Sequence, residues 1–356
     1  MQLRHTIHGA FGYTVATDPD GRERLVVVGK QSHVFDPTQP GEVPLELAPR
    51  DKQRPLVEVD QFLGEPGLSA PWCEADYAAY KPRCDVLFVG SAYAPAGRPT
   101  THCEVALRLG SIDKRARVLG PRQWSASLGG VRLTPPLAFE RTPLSYAQAF
   151  GGEGYAPNPV GVGFASNRAE VDGRAAPSLE ALDDPVRSPS ATHRPVAYGP
   201  MGRGWLARRP LAGTYDATWR EQHAPFLPPD FDYAYFQSAP RDQQLEYPRG
   251  GERLTLVNLT ASGLTQLRLP GCPMPVEFGR RDGSRHPSEA QLDTIWIDGD
   301  AGVLTLCWRS SLPLRGDLSE IDEVLFGPMS PAFYRARQSG KPYFSSLAEL
   351  VDSTAT

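Results

Sequence analysis

Thr294–Trp308 reads TIWIDGDAGVLTLCW, and this stretch decides the fold class. Its arms, Thr294–Ile297 and Val303–Trp308, are short and rich in β-branched, aromatic and aliphatic residues, which suit a pleated, half-buried surface. Asp298-Gly299-Asp300-Ala301-Gly302 supplies the turn between them, so the stretch predicts a β-hairpin. Working outward, Arg253–Leu259 and Leu264–Leu269 read as two further strands. In the first third, Ile7, Phe11, Tyr13 and Val15 predict a half-buried strand and Leu25–Val28 a second, joined by the turn Asp18-Pro19-Asp20-Gly21. A third strand is expected near His33–Phe35, followed by a proline-rich loop around Val43–Leu47. Cys84–Val89 reads as a central strand. Val105, Leu107 and Leu109 alternate with Glu104, Ala106 and Arg108; the turn Gly110–Asp113 and Lys114–Leu119 complete another hairpin. Trp72, Tyr77 and Tyr80 fall on an intervening loop or short helix.

The middle is different. Arg141–Phe164, RTPLSYAQAFGGEGYAPNPVGVGF, breaks after a short helix-capable run into closely spaced glycines and prolines. Tyr146, Phe150, Tyr155 and Phe164 give it apolar surface to bury, so it should form an ordered loop against strands. Ala165–Pro200 loses apolar periodicity and reads as a long surface excursion pinned near Leu179. Near the end, Asp317-Leu318-Ser319-Glu320 predicts a helix with Leu318, Ile321 and Leu325 on one side, and Phe344–Val351 a last short helix. The expected fold is mainly β: antiparallel sheets, sandwich-like or an elaborated barrel, with long irregular loops and a short C-terminal helical tail. Residues 1–316 form one domain, with an irregular middle segment 134–250, and residues 317–356 form the tail. Met1–Leu119 and Arg253–Trp308 should share one core.

Composition narrows the function. With 34 glycines, 36 prolines, 9% aromatics and 40% hydrophobics, the chain suits short strands and turn-rich loops rather than disorder. A net charge of -4 leaves no basic footprint for nucleic acid. Lysine is scarce, confined to Lys30, Lys52, Lys81, Lys114 and Lys341. The start, MQLRHTIHGAFGYTV, lacks a charged leader with an apolar run, and no stretch approaches membrane-spanning length, so a cytoplasmic protein without membrane insertion is expected. The scattered, odd-numbered cysteines (Cys73, Cys84, Cys103, Cys272, Cys307) predict reduced, mostly buried thiols.

No catalytic constellation emerges. The glycine-rich Gly151–Gly163 lacks the ending of a phosphate loop. His5 and His8, spaced i, i+3 in a strand, diverge, as do His102 and Cys103, so neither metal nor cofactor is expected. Ser111-Ile112-Asp113-Lys114 falls in a hairpin turn. Asp216, Asp230, Asp232 and Asp242 crowd a region rich in aromatics, as a carbohydrate-active enzyme would require. Aspartates in loops more often accept hydrogen bonds from backbone N–H groups, and that reading is favoured here.

Several stretches in order carry a resemblance. They are Lys81–Leu87 (KPRCDVL), Gly90–Gly97 (GSAYAPAG), Arg115–Trp124 (RARVLGPRQW), Ala149–Gly152 (AFGG) and Asn158–Gly161 (NPVG). Ala212–Asp216 (AGTYD), Trp219, Leu227–Asp232 (LPPDFD), Ala239–Gln243 (APRDQ), Gly250-Gly251-Glu252, Asp293-Thr294 and Trp308-Arg309 continue the set. Together they make the chain, from Met1 to about Leu314, resemble the effector adaptors of the bacterial type VI secretion system, long catalogued as a domain of unknown function. Pro177-Ser178-Leu179-Glu180 departs from the Pro-Asn-hydrophobic-Glu expected there. The resemblance implies a non-enzymatic, chaperone-like adaptor that binds a secreted toxin effector, commonly through its PAAR-like region, and helps load it onto the spike protein. A structural tail-like component is the other alternative; it would self-assemble, whereas an adaptor should be monomeric or weakly associated. The irregular middle, at Trp205, Tyr215, Trp219, Phe226, Phe231 and Tyr235 with Arg203, Arg208, Arg209 and Arg220, is expected to bind the effector or to support the loops that do, because interface cores favour aromatics and arginine. The competing reading is that the aromatics only fill a second core beneath the loops.

Overall fold

A computed structural model describes residues 1–167 and 170–343. Its principal strands are β1 (Gln2–His5), β2 (Ala10–Thr17), β3 (Glu23–Val34), β4 (Cys84–Val89), β5 (His102–Leu109) and β6 (Ile112–Leu119). They continue with β7 (Arg253–Val257), β8 (Leu264–Arg268), β9 (Pro275–Arg280), β10 (Arg285–Glu289), β11 (Gln291–Asp298), β12 (Val303–Pro313) and β13 (Ile321–Phe326). Two short helices, α1 (Ala217–Gln222) and α2 (Pro331–Gln338), complete the set used below.

The hairpin expected at Thr294–Trp308 is β11–β12, and it lies in the middle of the largest sheet. That sheet runs Gln244–Leu245, β4, β11, β12, β3, β2. Gly302 closes the hairpin at φ +64°, and a Cβ there would lie 2.2 Å from the Phe35 carbonyl oxygen, so only glycine fits. A second sheet runs Leu179–Glu180, β6, β5, β7, β8, Gly41–Glu42; a third runs β1, β13, β9, β10. Val86, Phe88, Ile295, Ile297, Leu304 and Leu306 from the first sheet join Val105, Leu107, Leu254 and Leu256 from the second and Phe278 and Val324 from the third in one apolar cluster. The two ends of the chain therefore share a core, as expected.

Alternate residues of the large sheet point away from that core, yet they too are covered. Val26, Val28 and Cys307 pack against Leu56 and Tyr77, and Leu87 and Trp296 against Trp72. The cover is the segment 54–81, which crosses the outer face as a strap. A sheet covered on both faces buries successive residues of its strands, which explains why Cys84–Phe88 are all buried, Asp85 included.

The fold is mainly β with open sheets among the described residues, not a closed barrel, and it is less uniformly antiparallel than expected. β4 pairs with β11, and β1 with β13, in parallel. Leu25–Val28 and His33–Phe35 do not make two strands; β3 runs unbroken from Glu23 to Val34. Ile7 lies between strands, and Tyr13 and Val15 face solvent. Trp72 belongs to a short strand, Pro71–Cys73. Asp317 does cap, accepting a bond from Ser319 N at 2.7 Å, but only one 3-10 turn follows. Ile321 onward is strand β13, because pairing between β1 and β9 buries its side chains where a helix would leave half of them in water. The segment after Ala165 is no surface excursion throughout: Leu179 and Glu180 join the second sheet, and Val196, Ala197 and Tyr198 are buried. The expected helix at Phe344–Val351 lies outside the described residues.

Candidate functional site

The outer face of the large sheet carries a polar network beneath the strap. Three of the five lysines, Lys30, Lys81 and Lys114, are buried. Lys30 on β3 donates to Asp76 Oδ2 at 2.7 Å, tying the strap to the sheet, and the same oxygen accepts from Val57 N at 2.7 Å, bracing the strap against itself. Lys81 donates to Asp85 Oδ2 and Thr294 Oγ1, both at 2.9 Å. Burial opposes the Lys81 charge, but the carboxylates of Asp85 and Asp293 outweigh it and hold its pKa above the ordinary lysine value. Asp85 also accepts from Gln237 Nε2 and Ser238 N, at 2.5 and 2.8 Å. An extra residue in β11, between Leu292 and Thr294, makes the β-bulge at which Asp293 meets Arg309 Nε at 2.6 Å. Arg309 Nη1 then donates to the strap carbonyls of Asp76 and Ala78, at 2.6 and 2.8 Å. Lys81, Asp85, Asp293 and Arg309, all within the motifs of the resemblance, thus meet in space. Sequence reading missed this network; its one local signal was charge placed inside apolar strand runs, Lys30 after Val26–Val28 and Asp85 within Cys84–Val89.

The middle segment holds the strap from outside. Arg208, 1% exposed, clasps both oxygens of Glu74 and donates to the backbone carbonyls of Tyr235 and Met201. Arg203 reaches Asp60 at 2.7 and 3.1 Å and Glu74 at 3.3 Å, and both guanidinium groups lie over the Tyr235 ring. Trp205 is buried edge-on to Tyr146, and Phe231 is buried among Tyr233, Tyr235 and Phe236. Half of the expected binding residues are therefore anchors.

The others face water. Tyr215 is 53% and Phe226 43% exposed, and Arg209 and Arg220 are also exposed. Trp219, half-buried on α1, meets Tyr215 edge-on at 4.7 Å and donates from its indole to Phe226 O at 2.9 Å. The lobe they form, residues 213–236, is pinned to the β2–β3 turn by Tyr233 OH on Asp18 and by the Phe226 ring against Gly21.

The acids of this region serve the loops. Asp216 accepts from Trp219 N, Asp230 from Thr214 N and Oγ1, and Asp232 from Ala234 N, while Asp242 takes Lys114 at 3.0 Å. The glycine-rich stretch packs by close approach: a Cβ on Gly151 or Gly161 would come within 2.2 or 2.3 Å of Asn158. The buried Asn158 amide donates to Tyr146 O and Phe150 O, and Phe150, Tyr155 and Phe164 form one small core, as expected. Glu180 is buried and pairs with Arg122 and Val186 N. All five cysteines are free, and only Cys73 is not fully buried; burial pushes its thiol up to about 11.

Residues 20–309 match the family described as an uncharacterized protein conserved in bacteria (DUF2169). The chain belongs to this family. The DUF2169 span takes in the sheet network from Lys30 to Arg309, the strap and the aromatic lobe, and leaves β1, β2, β13 and α2 outside. No curated protein and no solved structure matches the chain. Among the described residues no helix is long and apolar enough to cross a membrane.

Proposed function

We propose that this protein is a non-enzymatic adaptor of the type VI secretion system, acting in the cytoplasm. It binds a secreted toxin effector, through the effector's PAAR-like region, and helps load it onto the spike protein. The observation that carries the reading is the solvent-facing cluster of Tyr215, Trp219 and Phe226 on a lobe whose base is locked by buried Arg208 and Phe231. Rigid aromatics offer large contact area at small entropic cost, and the exposed Arg209 and Arg220 of the same segment add the arginine that interface cores favour. Loops on a fixed β scaffold are where recognition usually resides. The resemblance in the ordered motifs supplies the class of partner.

The test is a titration of the purified chain against the toxin encoded beside it, with Tyr215→Ala, Trp219→Ala and Phe226→Ala as variants. At least one variant should lose affinity by about thirtyfold or more, the effect of one interface hot spot, while melting close to wild type. Wild-type affinity in every folded variant would move the binding surface elsewhere. Failure of the wild-type chain to bind that toxin at all would remove the adaptor reading itself.

A further inference from the structure

The strap does not fill the space beneath it. A cavity of about 180 Å³ remains between the strap and the outer face of the large sheet. One wall is formed by the indoles of Trp72 and Trp296, edge to face at 5.1 Å, with Val57 and Leu87 extending the apolar surface. Arg54 lies over the Trp296 ring at 4.1 Å and is held at the rim by Asp298 at 3.1 Å. Four cationic side chains border the cavity, Lys30, Arg54, Lys81 and Arg309, against two acids, Glu74 and Asp76. Both acids are engaged, Glu74 by Arg208 and Asp76 by Lys30 and Val57 N, and Arg54, Lys81 and Arg309 are paired in turn with Asp298, Asp85 and Asp293. Lys30 is 8% exposed, and among the described residues its ammonium makes one hydrogen bond, to Asp76, of the three it can donate.

We propose that this cavity binds a small aromatic carboxylate, its ring against the Trp72 and Trp296 indoles and its carboxylate on the Lys30 ammonium. The size fits: an apolar cavity of roughly 150 Å³ accommodates benzene. The chemistry fits as well. A buried ammonium with unused donors favours an ionised acceptor over a neutral one, since charge-assisted hydrogen bonds are about twice as strong as neutral ones. The ammonium offers donors and no acceptor, which disfavours an amine, and flat indole walls favour a ring over a branched chain. The site is distinct from the aromatic lobe and does not depend on the adaptor reading; it would make strap closure, and any surface the strap supports, responsive to a small molecule.

The experiment uses the full chain with benzoate and phenylacetate as probes and benzyl alcohol and benzylamine as controls, read by tryptophan fluorescence and calorimetry. The acids should bind saturably with one site, and the alcohol and amine at least about tenfold more weakly, given the strength of charge-assisted bonds. Cys73→Leu, which extends into the cavity without changing charge, should abolish binding while leaving the melting temperature close to wild type. Lys30→Met, if folded, should erase the preference for acid over alcohol; if it fails to fold, Cys73→Leu decides. Absence of acid binding, equal binding of acid and amine, or undiminished binding to Cys73→Leu would each overturn the proposal.

Discussion

Replacing Lys114 with methionine should stabilise the protein, although it removes an ion pair. Lys114 projects from β6 with its side chain 4% exposed, its ammonium 3.0 Å from Asp242 Oδ1 and 5.3 Å from the centre of the Tyr198 ring. Burial pushes its pKa from the ordinary 10.5 down to about 8, outweighing the pull of Asp242, whose side chain is 61% exposed and solvated. A drop of that size corresponds to a cost of about 3 kcal/mol for holding the charge inside, at about 1.4 kcal/mol per pKa unit. Below pH 8 both folded and unfolded chains hold the proton, and the native state bears the full cost. Between about pH 8 and 10.5 the unfolded chain binds more proton than the native one, so wild-type stability gains from this group as pH rises. Methionine keeps the length and removes the charge, and Asp242 is left in water at little cost. Urea unfolding at pH 7.5 should show Lys114→Met more stable by about 1–3 kcal/mol, with the gap closing towards pH 10.5. The contrasting variant is Lys81→Met, which strands a fully buried Asp85 and should lose about 3–5 kcal/mol. Destabilisation by Lys114→Met, or a gap that does not shrink with pH, would refute the reasoning.

Arg208→Ala should cost about 3–5 kcal/mol, because it leaves Glu74 buried without its main partner and frees the Tyr235 and Met201 carbonyls; limited proteolysis should then cut first within residues 54–76. Burial pushes the His33 imidazole from 6.5 down to about 4, and Nδ1 has no partner among the described residues. The unfolded state therefore binds more proton between those values, and stability falls by as much as about 3 kcal/mol as pH drops from 6.5 to 4. His33→Leu should flatten that slope in melting curves taken across the window.

The sequence alone determined what depends on neighbours along the chain. Period-two alternation in Val105–Leu109, turn residues between Thr294–Ile297 and Val303–Trp308, and short runs rich in strand formers such as Cys84–Val89 each specify a strand or hairpin locally, and each is found. The packing of Tyr155 and Phe164 in the glycine-rich stretch was readable for the same reason, as aromatics in an irregular segment must be buried by something. Tertiary structure decided the rest. The Asp317 cap predicts a helix, yet Ile321–Phe326 is a strand, because edges offered by β1 and β9 outweigh a local preference worth tenths of a kcal/mol per residue. Arg208 and Arg209 look alike as sequence; only their contacts separate anchor from exposed surface. The network of Lys30, Asp76, Lys81, Asp85, Asp293 and Arg309 arises from strand register, a one-residue bulge and a strap laid across the sheet. Those are relations between residues as far apart as Asp76 and Arg309, and no local pattern encodes them.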